Sequence, residues 1–353
     1  MNEKIRHLRE KMKTLNLDGM IITNPINIKY LSNIECEGTL LITRKENIFI
    51  TYTMFLETVK STLTINDEII LVDSRDVSKE DYENFFVFCE NVGFEENYVT
   101  YTKYQDLKQL YKINNFSETE GIIEKLREVK DEEEIKSLTK ACELTDKCFS
   151  HILKFIKIGK TEKEIAFEIE MFFRENGADE LAFPTIVAIG ENSAHPHWKP
   201  GDRAVKMTDP ILIDMGCKIN GYSSDMSRTV FMGCILEEIK PAYDMVLKNQ
   251  KIVIDNIKEF ASIKTLSKIV ESDFNVNKYD LIHALGHGVG LETHERPAIS
   301  AKNDTFLKEN MVLAIEPGIY LPGKYGIRIE DTVLVTKNGC IELTKSLKNY
   351  TVI

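Results

Sequence analysis

The chain has no C-x-x-C pair: its seven cysteines (Cys36, Cys89, Cys142, Cys148, Cys217, Cys234 and Cys340) are scattered and odd in number. That gives neither a zinc knuckle nor a disulfide framework. All seven are read as reduced, with Cys142 and Cys148 as small buried thiols on a helix. No apolar run approaches a bilayer span, and the opening residues Met1 to His7 hold no signal-peptide core, so a cytoplasmic protein is expected. Positive charge is in deficit: 45 Lys and Arg against 56 Asp and Glu give a net charge of −11. A nucleic-acid backbone is therefore not the expected partner. H-E-x-x-H and G-x-G-x-x-G spacings are both missing, which argues against a zinc-protease helix and a dinucleotide loop.

What is present divides along the chain. At 353 residues there is room for two domains, or one large domain with a satellite. Residues 3–16 have the apolar spacing of an amphipathic helix. Strands are expected at Gly19–Thr23, Thr39–Thr43, Asn47–Thr51 and Glu68–Val72, broken by Asn-Pro and charged turns, with helices over 54–62 and 81–92. This alternation suggests a small α/β domain without a catalytic constellation. Lys112–Glu120 is polar and aperiodic and marks the boundary, giving domains 1–118 and 119–353. Beyond it, Asp131-Glu-Glu-Glu134 and Thr161-Glu-Lys-Glu164 are capping-box patterns. They open helices to about Ile156 and to Gly177.

The second part contains an internal duplication. Helical segments at about 131–156 and 161–176 precede a strand through Asp214 and a partner ending near Asp225. Segments at about 240–260 and 263–273 precede a strand through Glu316 and a partner ending at Glu330. Each half thus reads helix, helix, strand pair, with one acid on each arm.

Those acids are the chemical signal. Asp214, Glu316 and Glu330 each stand in an apolar strand context, where side chains alternate faces and one residue can point into a site while its neighbours pack. An unpaired carboxylate taken out of water needs a cation or a proton, so convergence on metal ions is expected. Arg328 shares a strand face with Glu330 and is read as holding an acid in place. Arg228 is read as structural support. His283 and His287 are four apart, but Gly286, Gly288 and Gly290 disfavour a helix. A strand or tight loop bringing backbone near a site fits better, with His283 either there or a satisfied core imidazole. His195-Pro-His197-Trp198 follows a loop signal, and at least one of its histidines should face the site. Trp198, the only tryptophan, either walls the pocket or is a rim or core aromatic.

Taken together, Asn192-Ser-Ala with Pro196-His197, Asp214 with Asp225-Met-Ser-Arg228-Thr229, Gly286-His287-Gly-Val-Gly290, His294-Glu295, Glu316-Pro-Gly318-Ile-Tyr320 and Arg328-Ile-Glu330-Asp331 resemble the pita-bread metallopeptidases. Within them the likeness is to aminopeptidase P and the Xaa-Pro dipeptidases (prolidases). It is strong over about 123–353. The first ~115 residues more loosely resemble that group's creatinase-type N-terminal domain. The resemblance implies an α+β protein: a duplicated ααββ pita-bread catalytic domain with a smaller α/β domain ahead of it. It implies two divalent ions, with Asp214 on one, Asp225 and Glu330 bridging, and His287 and Glu316 completing the second. His197, His283 and His294 fall on the family's non-ligand histidines, and Arg328 on a supporting arginine. Glu316 would also handle the proton in hydrolysis of the bond before proline.

Four carboxylates and one imidazole suit manganese or cobalt, with iron or zinc also compatible, rather than a sulfur-loving metal. A homodimer is expected by resemblance only. One departure stands out. Some prolidases place an arginine, which would grip the dipeptide's carboxylate, where this chain has Ala298. Arg296 is offset by two, which favours an aminopeptidase P-like enzyme over a strict dipeptidase. A methionine aminopeptidase would lack the leading domain. A non-catalytic binding module would not need the full residue set.

Overall fold

A computed structural model describes residues 2–63 and 68–353. The chain separates into two compact units, the first ending at Arg127 and the second spanning Glu128–Ile353. The division falls after the expected 118/119 because the short helix Ile122–Arg127 belongs to the first unit. There Arg127 donates to Asn27 at 2.9 Å, and Asn27 donates to Glu124 at 2.8 Å.

The first unit holds one sheet in the order β4-β3-β2-β1-β5-β6, made of β1 (Gly19–Ile22), β2 (Gly38–Thr43), β3 (Asn47–Thr51), β4 (Ile69–Asp73), β5 (Asn91–Phe94) and β6 (Asn115–Glu118). Its helices are α1 (Glu3–Thr14), α2 (Pro25–Ser32), α3 (Leu56–Thr62), α4 (Lys79–Asn84), α5 (Tyr101–Leu110) and α6 (Ile122–Arg127). Three expectations need correction. Asn24-Pro25 opens α2 instead of a turn, because Asn24 caps the helix through Ile26 N and proline suits the first helical turn. The helix expected over 81–92 stops at Asn84, and its tail supplies β5. The aperiodic stretch 112–120 contains the edge strand β6, whose short polar sequence needs only one neighbour.

The second unit is built twice on one plan. In its first half α7 (Glu132–Phe155) and α8 (Glu162–Glu175) start at the two capping boxes. After β7 (Glu180–Leu181) come β8 (Ile186–Ile189), β9 (Pro210–Met215), the small arms β10 (Cys217–Ile219) and β11 (Tyr222–Ser223), and β12 (Met226–Phe231). The main strands run β12-β9-β8. In its second half α9 (Lys240–Asn256) and α10 (Ile263–Val276) precede β13 (Gly286–Gly288), β14 (Glu295–Ile299), β15 (Val312–Ile315), the arms β16 (Gly318–Leu321) and β17 (Tyr325–Arg328), β18 (Asp331–Thr336) and β19 (Gly339–Glu342). Here the order is β14-β13-β15-β18-β19. So β9 and β12 correspond to β15 and β18, each pair antiparallel with a smaller hairpin between its strands. One detail differs from expectation: Asp225 and Glu330 stand just before β12 and β18 begin, not at the ends of partner strands.

Strand alternation sorts the two faces. Ile211, Ile213 and Met215 of β9 enter the core under α7 and α8, while Leu212 packs on the opposite side with Ile186, Ala188 and Tyr320. Leu313 and Ile315 of β15 enter the core under α9 and α10. Asp214 and Glu316 fall on the parity that turns away from those helices. All seven cysteines are free. Among the described residues no helix is long and apolar enough to cross a membrane.

Candidate metal centre

The acids on that parity converge. Ligand atoms of Asp214, Asp225 and Glu330 lie within 4.8 Å of one another, as do those of His287, Glu316 and Glu330, and those of Asp225, His287 and His294. The first two groups share Glu330. His287 Nε2 stands 3.6 Å from Asp225 Oδ2 and 3.7 Å from Glu316 Oε1, while its Nδ1 faces Gly288 O at 3.1 Å. The glycines around it are there for backbone contact: a Cβ on Gly286 would meet Ala314 O at 2.0 Å, and one on Gly288 would meet Arg296 O at 2.1 Å. They admit β13 between β14 and β15, which seats His287 beside the acids.

The charge balance of this cluster is poor as it stands. Arg328 donates through Nη2 to Asp214 Oδ2 at 2.6 Å, and Ser227 Oγ donates to Glu330 Oε2 at 2.6 Å. Arg328 is the one cation paired with these acids among the described residues. Asp214 Oδ1 is buried with no hydrogen-bond partner, which is costly for a carboxylate. Burial pushes the Asp225 carboxyl well above the ordinary range, with Glu330, Asp214 and Glu316 adding to the rise and Arg328 opposing it. Glu330 moves the same way, through burial and then Asp214 and Glu316. Glu316 is pushed up to about 7 by burial, against the pull of Arg328 and with the push of Asp214. Burial, and next His294, brings His287 down to about 4, so its imidazole is neutral near pH 7 and free to ligate. Crowded oxygens, an orphaned carboxylate atom and a neutral imidazole fit divalent cations of hard to intermediate character.

Arg328 corrects the expectation made for it. It reaches Asp214 instead of Glu330, because β17 ends at Arg328 and its side chain crosses to β9. Its Nε donates to Ser227 Oγ at 2.8 Å, and its Nη1 donates to Tyr320 OH at 2.8 Å and to Pro196 O at 3.3 Å. Arg228 is structural, as expected. Buried, it donates through Nη2 to Asp331 Oδ1 at 2.6 Å and Ser346 O at 2.7 Å, and through Nη1 to Glu330 O.

The remaining histidines sit around the cluster. His283 precedes β13 and its Nε2 lies 3.0 Å from Tyr320 OH. Burial brings it down to about 4, partly countered by Ala284 O and reinforced by Arg328 and His197. The exposed His294 packs edge-on against His287 with ring centroids 4.3 Å apart. Burial, against Asp214 and with His197, lowers its pKa. His197, also exposed, is near enough to His283 and His294 to help lower both imidazoles. His195 instead stacks on Trp198, with ring centroids 5.3 Å apart. Trp198 packs against Ile186, Ala188, Leu212 and Tyr320. Arg296 and Ala298 are both exposed on β14, two residues apart. Sequence reasoning assigned nothing to Tyr320, Ser227 or Glu162. Tyr320 and Ser227 lay inside quoted motifs, and only their cross-chain hydrogen bonds give them roles.

Comparison with known proteins adds two family matches. Residues 136–337 match the model of metallopeptidase family M24, and residues 4–129 that of the creatinase/prolidase N-terminal domain. The Xaa-Pro dipeptidase of Pyrococcus horikoshii is 35% identical over 351 residues, covering 98% of each chain. Among solved structures, the Xaa-Pro dipeptidase from Bacillus anthracis superposes with a TM-score of 0.94 at 32% identity over 99% of each chain. The X-Pro aminopeptidase from Thermotoga maritima gives 0.88 at 30% identity, covering 98% of this chain and 100% of that one.

Proposed function

Because the chain belongs to metallopeptidase family M24 and carries a creatinase/prolidase N-terminal domain, we propose that it hydrolyses the bond between an N-terminal residue and a following proline, using two divalent ions. The observation that carries this reading is the pair of three-ligand groups sharing Glu330, with the buried, unpartnered Asp214 Oδ1 at one edge. Asp214, Asp225, His287, Glu316 and Glu330 would hold the metals, with manganese or cobalt favoured by the oxygen-rich donor set. Two such ions would supply Lewis acidity there, for a carbonyl to be polarised and a water to be made more acidic.

The protein's own groups do the rest. Glu316, with 20% of its side chain exposed, takes the proton from the attacking water and returns it to the proline nitrogen. His294 stands beside His287 and would donate to the developing oxyanion. His197 and His283 would orient the free amino end and the proline side. Arg328 fixes Asp214 and, through Tyr320, the His283 ring.

Ala298, small and exposed, supports acceptance of peptides longer than two residues. The likeness to the Xaa-Pro dipeptidases of Pyrococcus horikoshii and Bacillus anthracis supports a second reading, a strict Xaa-Pro dipeptidase. A homodimer goes with both readings and has only family likeness behind it; sedimentation tests it. The deciding experiment measures steady-state rates on Gly-Pro, Gly-Pro-Yaa and Met-Ala peptides after chelation and reloading with each of several divalent ions. Turnover of both Gly-Pro forms is expected. Dipeptides alone would favour the second reading, and Met-Ala alone would overturn both.

A further inference from the structure

The loop that carries His197 hangs from a single carboxylate. Glu162, the first residue of α8, is 0% exposed. Its Oε1 accepts from Ile189 N and Asn192 Nδ2, and its Oε2 from Trp198 Nε1 and Gly201 N, all at 2.8 Å. Every one of these partners only donates, so both oxygens must accept. The helix does not need Glu162 as a cap: Thr161 and Glu164 form the capping box without it. Its four partners lie on both sides of His197, at 189 and 192 before it and at 198 and 201 after it.

Two more ties bind the same loop to the centre. Gly326 N donates to Ser193 Oγ at 2.8 Å, and Arg328 Nη1 to Pro196 O at 3.3 Å. His197 is therefore flanked by a residue whose carbonyl Arg328 holds and by one whose indole Glu162 holds. Its own ring has no hydrogen-bond partner among the described residues, so its place is set by those neighbours. A group aligned this way is sensitive to small displacements of its support.

We infer that Glu162 is a positioning residue, setting where His197 stands beside His283 and His294 and hence how the substrate is held. This rests on the peptidase reading above. Trp198 is the only tryptophan, so its emission reports the clamp without turnover. Glu162→Gln keeps the size but puts an NH2 against obligate donors. It should red-shift Trp198 emission and increase acrylamide quenching. It should also lower kcat/KM on Gly-Pro about 10- to 100-fold, the scale of a misplacement of about 1 Å, with bound metal unchanged. Glu162→Asp, which retains the charge, should recover part of both signals.

In a His197→Ala background, Glu162→Gln should add less than about three-fold, since residues acting through one another are not additive. An undiminished further loss there would show Glu162 acting on the fold at large and would overturn the inference. An unmoved Trp198 signal in Glu162→Gln would do the same. If Glu162→Gln does not fold, Asn192→Ala removes one of the four donors, and the same two readouts decide. Failure of the metal-loaded wild type to cleave any Xaa-Pro peptide would sink the peptidase reading but leave the Trp198 result to judge the clamp.

Discussion

The two halves of the second unit share a strand plan but divide the labour unequally. The first contributes Asp214 and Asp225; the second contributes His287, Glu316 and Glu330. The hairpins between the paired strands differ most. In the first half, β10 lies between β11 and β7, and the β10–β11 hairpin lies against α7. In the second, β16 and β17 bring Tyr320 and Arg328 to the acids. Each half also lends the other an arginine: Arg228 of β12 holds Asp331 and the Glu330 carbonyl, and Arg328 of β17 holds Asp214. The lesson is that a duplicated frame supplies symmetric positions, whereas chemistry needs unlike groups there. Reciprocal arginine contacts lock the unlike halves together.

That comparison breaks most severely if either half loses an acid. Asp225→Asn in the first half and Glu330→Gln in the second should each lower kcat/KM by on the order of 10³-fold or more, since metal contributes several kcal/mol to the transition state. Elemental analysis should find less bound metal in both; full activity in either would remove that residue from the centre. Next come the arginines. Arg228→Met leaves Asp331 short of a buried cation and should cost about 3–5 kcal/mol in stability by calorimetry, while the folded fraction keeps its metal. A small change would make that clasp dispensable, since Lys348 Nζ also stands 3.0 Å from Asp331.

His294→Ala should lower kcat about 100-fold with metal retained, the scale of a lost oxyanion donor. Metal loss, with kcat restored by excess metal, would make His294 a ligand, as its grouping with Asp225 and His287 allows. Arg328→Lys, unable to reach Asp214, Ser227 and Tyr320 together, should cost about 10- to 100-fold in metal affinity or activity.

The smallest effect concerns pH. Asp225, Glu330 and Glu316 have folded pKa values above the ordinary carboxylate range. Without metal the folded protein then binds more protons than the unfolded chain, so these groups reduce stability as pH rises above the ordinary carboxylate range, for Glu316 from 4.5 through about 7. Metal-free Asp225→Asn should therefore gain on metal-free wild type as pH rises above the ordinary carboxylate range. Added metal should reverse the order. Parallel melting curves across this range would refute the crowding.

What could be read in advance followed locality. The helix starts at Asp131 and Thr161 were legible because each capping box lies within four residues and formed as expected. Asp214, Glu316 and Glu330 stood out as acids in apolar strand sequence. The misreadings were contextual. Asn24-Pro25 reads as a turn and starts a helix; the polar stretch 112–120 reads as a linker and holds an edge strand. Glu162 carries no local signal of its role, since its partners lie 27 to 39 residues away.

By itself, then, the sequence marked which acids in apolar surroundings would need a cation or a proton, because burying a carboxylate is costly, and strand parity, a two-residue rule, set the face of Asp214 on β9. Only tertiary structure decided the pairings: Arg328 with Asp214 across 114 positions, Arg228 with Asp331 across 103, and Glu162 with the His197 loop. Hydrogen bonds select partners by distance and direction in space, and separation along the chain carries no information about either.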